Sequence, residues 1–141
     1  MTHLADLEGA TTLNGAPLSD LALAHAALPA AASMTTVDEV HRRARPVGDE
    51  ARMGDILFFD GAGGAPELAV VVDVNDDGVL EALAVIRGAV RRVKIDRAHP
   101  HSRRHKGRVV NSFLRVRRRD DEPQAAYLAG QLLREVRSLQ D

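Results

Sequence analysis

The sequence predicts an α+β domain: N-terminal helices packed on a small antiparallel β-sheet, with a C-terminal helix. Three observations indicate this fold class. Before Arg52, apolar residues recur at helical spacing behind residues that cap helices. After Arg52, the spacing changes to strand-type runs that are separated by turn residues. After Pro123, a helical spacing of apolar residues returns.

The length of 141 residues fits one domain, which we place at 18–141. Residues 1–17 mix glycine, threonine, asparagine and proline without a period, which predicts a flexible N-terminal arm. With zero cysteines, disulfides, thiolate metal sites and a cysteine nucleophile are excluded. No signal peptide and no stretch near the roughly 20 apolar residues of a membrane span is visible. We therefore expect a cytoplasmic protein, with a trimmed exported form left open.

Two helices are predicted in the first third of the domain. The first covers 21–28, where Ser19 or Asp20 can accept hydrogen bonds from first-turn amides and a proline follows. The second begins at Thr36, because Thr36 and Glu39 have the spacing of a capping box.

The next part of the chain predicts strands. The strand-type runs are 56–60, 68–74, 79–87 and 90–96. Asn-Asp-Asp-Gly at 75–78 predicts a tight hairpin turn, because Gly78 can adopt positive φ. Residues 109–116 are a candidate fifth strand. A final helix is predicted over 123–140, where apolar residues form one stripe.

The charge is unevenly distributed along the chain. Residues 87–119 hold 13 of the 19 Lys and Arg residues and a single acid, Asp96. This asymmetry favours an acidic protein partner. Nucleic acid is the second choice, because Phe113 is the only aromatic residue of that segment and base stacking needs aromatic rings. The candidate partner-binding residues are Arg103, Arg104, Lys106, Arg108, Arg115, Arg117, Arg118 and Arg119.

Other polar clusters predict neither a metal nor a cofactor. The spacing of His99, His101 and His105 matches no compact metal site, and surrounding cations disfavour Zn²⁺. Asp55 and Asp60 are interpreted as solvated acids at a turn and a strand end, rather than as the carboxylate pair of a glycosidase. The glycine-rich segment after Asp60 lacks the Lys-Ser/Thr of a phosphate-binding loop.

Two strand motifs resemble a known family. Gly-Asp-Ile-Leu-Phe-Phe at 54–59 and Glu-Leu-Ala-Val-Val-Val at 67–72 resemble the first two core strands of the NlpC and CHAP group, which are papain-like cell-wall amidohydrolases. Residues 97–115 also look like a tail seen in some bacterial members. The resemblance covers roughly residues 17–116. It implies a nucleophile-bearing helix packed on a small antiparallel sheet.

The resemblance also implies a lost active site. Active members place a cysteine at the start of the first core helix, a histidine at the start of the second strand and a polar residue on the next strand. The matching positions here are Leu18, Leu68 and Ala84. These side chains cannot attack a carbonyl, move a proton or orient an imidazole.

The expected function is therefore that of a pseudoenzyme: a protein-binding adaptor, regulator or assembly module. Its vacated groove would receive an apolar segment of the partner. Two alternatives stay open. One is a peptidoglycan hydrolase with a misplaced nucleophile, for which Ser19 is the nearest hydroxyl. The other is a non-specific nucleic-acid binder that uses the Arg-rich region 87–119.

Overall fold

The computed structural model of the protein describes residues 4–61, 64–115 and 127–140. In these ranges the chain forms three α-helices, eight strands and two short 3-10 helices. The α-helices are α1 (Asp20–Ala27), α2 (Val37–Arg43) and α3 (Ala129–Leu132). The strands are β1 (Arg45–Pro46), β2 (Ile56–Phe59), β3 (Leu68–Val74), β4 (Leu80–Ile86), β5 (Ala89–Ile95), β6 (Arg104–His105), β7 (Arg108–Val109) and β8 (Leu133–Ser138).

Six of the strands form one antiparallel sheet in the spatial order β1-β8-β2-β3-β4-β5. The remaining two, β6 and β7, pair with each other as a separate hairpin. The predicted α+β class with an antiparallel sheet is confirmed.

Each face of the sheet carries its own apolar core. On one face, Leu68 and Val70 of β3 pack in a cluster with Leu23 of α1. On the other face, Ala69 and Val71 join a cluster that includes residues of α3 and β8. Side chains alternate between the two faces of a strand, so β3 is buried on both sides, as its continuous apolar run predicts.

Both predicted N-terminal helices are present and short. The Ser19 hydroxyl accepts a hydrogen bond from the Ala22 N–H at 3.0 Å, and α1 follows. The Thr36 hydroxyl accepts from the Glu39 N–H at 3.0 Å, and α2 follows. No helix of the described ranges is long and apolar enough to cross a membrane.

The four predicted strand runs correspond to β2–β5 with small shifts at their ends. The predicted turn at 75–78 joins β3 to β4. Gly78 has φ +86°, and the N–H of Asn75 donates to the carbonyl oxygen of Val79 at 3.0 Å. A residue with a Cβ is strained at this φ, which explains the glycine.

The prediction of a helix over 123–140 is wrong for the residues that the structure describes. Only Ala129–Leu132 is helical, and the next six residues form β8. β8 lies between β1 and β2, with Leu57 paired to Val136. Because β2 is buried, its backbone groups need partners on both edges, and β8 supplies one set of them. Residues 123–126 lie outside the described ranges.

Residues 4–17, which belong to the predicted flexible arm, lie against the sheet. The N–H of Gly9 donates to the carbonyl oxygen of Val90 at 2.7 Å, and the N–H of Val90 donates to that of Ala10 at 2.9 Å. Leu13 is buried in the core beneath α1. The segment therefore covers the outer edge of β5.

The candidate fifth strand at 109–116 is also wrong within its described part, because Asn111 interrupts it. Asn111 is fully buried. Its Oδ1 accepts from the backbone N–H groups of Asp96 and Gly130, both at 2.9 Å. Its Nδ2 donates to two carbonyl oxygens of the 99–102 loop at 2.9 and 2.8 Å. All four hydrogen bonds of the amide are thus used to join β5, this loop and α3.

Asp55 is not the solvated acid that the sequence suggests. It is fully buried. Its Oδ2 accepts from the N–H of Arg52 at 2.8 Å, and its Oδ1 accepts from Nε2 of Gln140 at 2.8 Å. The carboxylate therefore fixes the turn that leads into β2 and ties it to the segment after β8.

Candidate functional site

Leu18 and Leu68 pack against the same apolar cluster, on one side of the sheet. Leu68 opens β3 and is fully buried, whereas Leu18 precedes the cap of α1 and is half-buried. The N–H of Glu67 donates to Oδ2 of Asp20 at 2.8 Å and joins the start of α1 to the start of β3. Burial raises the pKa of Asp20. The junction of α1 and β3 is therefore apolar, and the Asp20 carboxylate joins the two elements beside it.

The expected position of Ala84 beside Leu68 is wrong. Ala84 packs in the cluster on the opposite face of the sheet. Val70 pairs with Leu83, and both belong to the cluster that contains Leu68. Because side chains alternate along β4, Val85 is the residue that shares this face, and it packs there.

A cleft of about 620 Å³ opens between α2, β2 and β8, and we call it the α2–β8 cleft. Its volume is in the range of small-ligand pockets, about 300–1,000 Å³. Apolar side chains, carboxylates, one imidazole and one guanidinium line it. The lining residues are Val37, Asp38, His41, Phe58, Phe59, Asp60, Gly61, Glu67, Arg134 and Glu135.

Two residues of this lining, His41 and Glu135, form with Arg137 what we call the Arg–Glu–His cluster. Nε and Nη2 of Arg137 each donate to the Glu135 carboxylate at 3.1 Å. Oε2 of Glu135, which accepts from Nε of Arg137, also hydrogen-bonds Nε2 of His41. Nη1 of Arg137 also donates to the carbonyl oxygens of His41 and Ala44, at 3.2 and 2.9 Å. The edge of the His41 imidazole meets the ring of Phe58, with 4.8 Å between centroids.

This arrangement favours the ionised form of Glu135 and one tautomer of the His41 ring. Hydrogen bonds from Arg137, and then from His41, lower the pKa of Glu135 to about 2. An ionised carboxylate only accepts hydrogen bonds, so Nε2 of His41 carries the proton that it shares with Glu135. In the neutral imidazole, Nδ1 is then the acceptor, and a carboxylate-oriented imidazole can act as a general base. The lining residues include no hydroxyl, thiol or amine whose proton His41 could take, so the nucleophile that this imidazole could activate here is water.

The lowered pKa of Glu135 predicts a pH-dependent contribution to stability. Folding favours the ionised carboxylate, so the stabilisation is fully present above the ordinary pKa of 4.5 and is lost as the pH falls toward about 2. We expect wild type to be more stable than Glu135→Gln near neutral pH, and the difference to shrink between those two values. Urea unfolding across this range measures it. An equal difference at every pH would contradict the arrangement.

The structure separates the predicted partner-binding residues into two groups. The first lies on and beside the β6–β7 hairpin and consists of Arg103, Arg104, Lys106 and Arg108. In the second, the guanidinium carbon of Arg115 lies 4.7 Å from the centroid of the Tyr127 ring. Arg117, Arg118 and Arg119 lie outside the described residues.

The three candidate histidines of the loop have local partners. The rings of His99 and His105 stack at 4.0 Å, and Nδ1 of His99 is 2.9 Å from Oδ2 of Asp96. Nδ1 of His101 is 3.1 Å from the side-chain amide of Gln131. Within the described ranges, no group of three or more His, Cys, Asp or Glu residues is arranged to hold a metal ion.

Sequence reasoning missed the Arg–Glu–His cluster entirely. His41 and Glu135 are 94 residues apart, and neither belongs to a recognisable motif. The segment of Glu135 was also predicted as helix, which hides its pairing with β2. Charge alternation in Arg-Glu-Val-Arg at 134–137 was the only local signal, and it fits either structure.

This chain was compared with protein families, curated proteins and solved structures. No family model, no curated protein and no solved structure matches this chain. Function is therefore inferred from the chain's own residues.

Proposed function

We propose that this protein is a non-catalytic protein-binding module, an adaptor or assembly component on a degenerate NlpC/CHAP-like domain. The observation that carries the proposal is that Leu18 and Leu68 both pack in the apolar cluster on the α1 side of the sheet. An active member would need a thiolate and an imidazole at these two positions, both open to substrate. Here Leu68 is fully buried and both side chains contribute to the core under α1. Burial of a leucine stabilises a fold by about 1.5–3 kcal/mol, so these positions serve stability.

The nearest hydroxyl does not restore a nucleophile. The Ser19 oxygen already accepts the hydrogen bond that caps α1. Among the residues that the structure describes, the Ser19 hydroxyl forms no hydrogen bond with an imidazole, and Leu68 stands where the resemblance would place the base. A serine without a base at hydrogen-bonding distance is a weak nucleophile.

The α2–β8 cleft favours a second candidate function, the hydrolysis of an ester or amide by water. The oriented imidazole of His41 would take a proton from water, and Arg134 would stabilise the oxyanion. The alternative function as a hydrolase is therefore supported by the α2–β8 cleft and not by the junction of α1 and β3. It ranks second because a general base and one cation alone are a small part of a hydrolytic site.

One assay separates the two functions. We expect wild type to release no soluble fragments from purified peptidoglycan and no product from p-nitrophenyl acetate or a dipeptide amide above the buffer rate. His41→Asn tests the cleft, and His25→Asn is the matched control, because His25 is an exposed histidine on α1. Turnover that disappears in His41→Asn and persists in His25→Asn would replace the binding module with the hydrolase. Turnover lost in Ser19→Ala would identify a serine nucleophile instead.

A further inference from the structure

The β6–β7 hairpin, residues 104–109, carries three cations and no acidic residue, and we call it the basic hairpin. Lys106 and Gly107 form its two-residue turn, with φ +52° and +78°. Positive φ at both central positions is typical of a type I′ turn, which matches the twist of the paired strands. The side chains of Arg104, Lys106 and Arg108 are exposed on it.

Most other arginines of the described ranges bond to groups of the fold itself, and these three cations do not. Arg92 bonds to Glu8 and Glu81, and Arg97 donates to the carbonyl oxygens of the 48–49 turn. By contrast, the three cations of the basic hairpin form no salt bridge with any residue of the described ranges. Arg104 pairs with Val109 and Arg108 pairs with His105, so the two arginine side chains point to opposite faces of the hairpin, and Lys106 lies in its turn. Both faces and the turn therefore carry positive charge, which a partner with the opposite charge would neutralise.

An aromatic anchor stands at the base of the basic hairpin. Phe113 is 43% exposed, one of few large apolar side chains with such exposure in the described ranges. The guanidinium carbon of Arg103 lies 4.5 Å from the centroid of its ring. Nη1 of Arg103 also donates to the carbonyl oxygen of Asn111 at 2.8 Å, which fixes the guanidinium against the fold. Arginine beside an exposed aromatic ring is the composition of interface hot spots.

We propose that the basic hairpin and Phe113 form a docking surface for an acidic segment of a partner protein. This inference rests on the proposed binding function and names the chemistry of the partner. The carboxylates of such a segment would meet Arg104, Lys106 and Arg108, and an apolar side chain would pack on the open part of Phe113.

The same surface is poorly suited to nucleic acid. Three free cations neutralise few phosphates, whereas salt-dependent DNA binding typically involves about 6–10 phosphate contacts. One face of the Phe113 ring is already covered by Arg103. Base stacking needs an open ring face, so a single-stranded nucleic acid gains little here.

Charge reversal on the hairpin tests the proposal. The probe is a fluorescein-labelled peptide of twelve residues with alternating Glu and Leu, and a single-stranded DNA of the same charge is the comparison. In fluorescence anisotropy at low salt, Arg104→Glu/Arg108→Glu is expected to weaken peptide binding about ten-fold or more and to flatten its salt dependence. Arg42→Glu/Arg87→Glu changes the net charge equally at exposed sites on other elements and should keep wild-type affinity. Circular dichroism and the unfolding midpoint check that both variants fold.

Each other outcome overturns the inference. Equal loss of affinity in both double variants would mean that net charge alone attracts the peptide. Tighter binding of the DNA than of the peptide at the same ionic strength would assign the surface to nucleic acid. Failure of wild type to bind the peptide would remove the docking surface. None of these results depends on the hydrolysis assay, so the failure of this inference and of the proposed function remain distinguishable.

Discussion

Replacing Asn111 by alanine is expected to lower the free energy of unfolding by about 3–5 kcal/mol. The substitution leaves two backbone N–H groups, of Asp96 and Gly130, and two carbonyl oxygens of the 99–102 loop without their partner. Each buried group that loses its hydrogen bond costs about 1–3 kcal/mol, and relaxation reduces the sum. Urea unfolding followed by circular dichroism measures the loss.

A matched control and a second variant sharpen this test. Asn75 is half-buried and makes one side-chain hydrogen bond, to Glu81 at 3.0 Å, so Asn75→Ala is expected to cost about 1 kcal/mol or less. Asn111→Asp keeps the shape but brings an oxygen toward two carbonyl oxygens, and it should destabilise the domain as strongly as alanine. If Asn111→Ala cost no more than Asn75→Ala, the amide would not be the junction of β5, the loop and α3.

The second large effect is expected at Gly130, within α3. A Cβ added there would lie 2.6 Å from Cα of Pro100 and 2.7 Å from Oδ1 of Asn111. Both contacts are far shorter than van der Waals distance, and the first is with backbone. We expect Gly130→Ala to destabilise the domain by about 2–4 kcal/mol, because α3 must move away from the loop.

Helix propensity predicts the opposite sign for this substitution. Alanine is favoured over glycine in helices by about 1 kcal/mol, so stabilisation by Gly130→Ala would show that the close approach is absent. Gly61→Ala is the control, because the nearest atom there is Cγ of the flexible Glu67 side chain. Gly130 and Asn111 share a hydrogen bond, so the double variant with Asn111→Ala should cost less than the sum of the two.

Local signals explain which parts of the fold were predictable. The caps at Ser19 and Thr36 and the glycine at position 78 each act within a few residues of their own position. They mark where α1, α2 and the β3–β4 hairpin begin or turn. The class of the fold follows from these elements, because antiparallel strands joined by short turns pair with their neighbours.

The remaining parts depend on contacts between distant segments. Leu132 and Val136 fit a helical stripe, yet Val136 is drawn into the sheet by the open edge of β2. The face of Ala84 depends on register, which shifts between Val71 and Asp73, and a shift of one residue moves a side chain to the other face. The hydrogen bond between His41 and Glu135 forms only when α2 and β8 are both in their final positions. Neither pattern nor propensity carries that information.

The position of β8 between β1 and β2 has a consequence for the synthesis of the protein. The ribosome delivers the Ile-Leu-Phe-Phe run of β2 long before it delivers β8, the latest of the sheet's strands. In that interval β2 presents an unpaired edge with apolar side chains on both faces, and such edges pair readily with other chains. Until β8 has paired with β2, this edge is therefore open to pairing with other chains, even though it is covered in the finished domain.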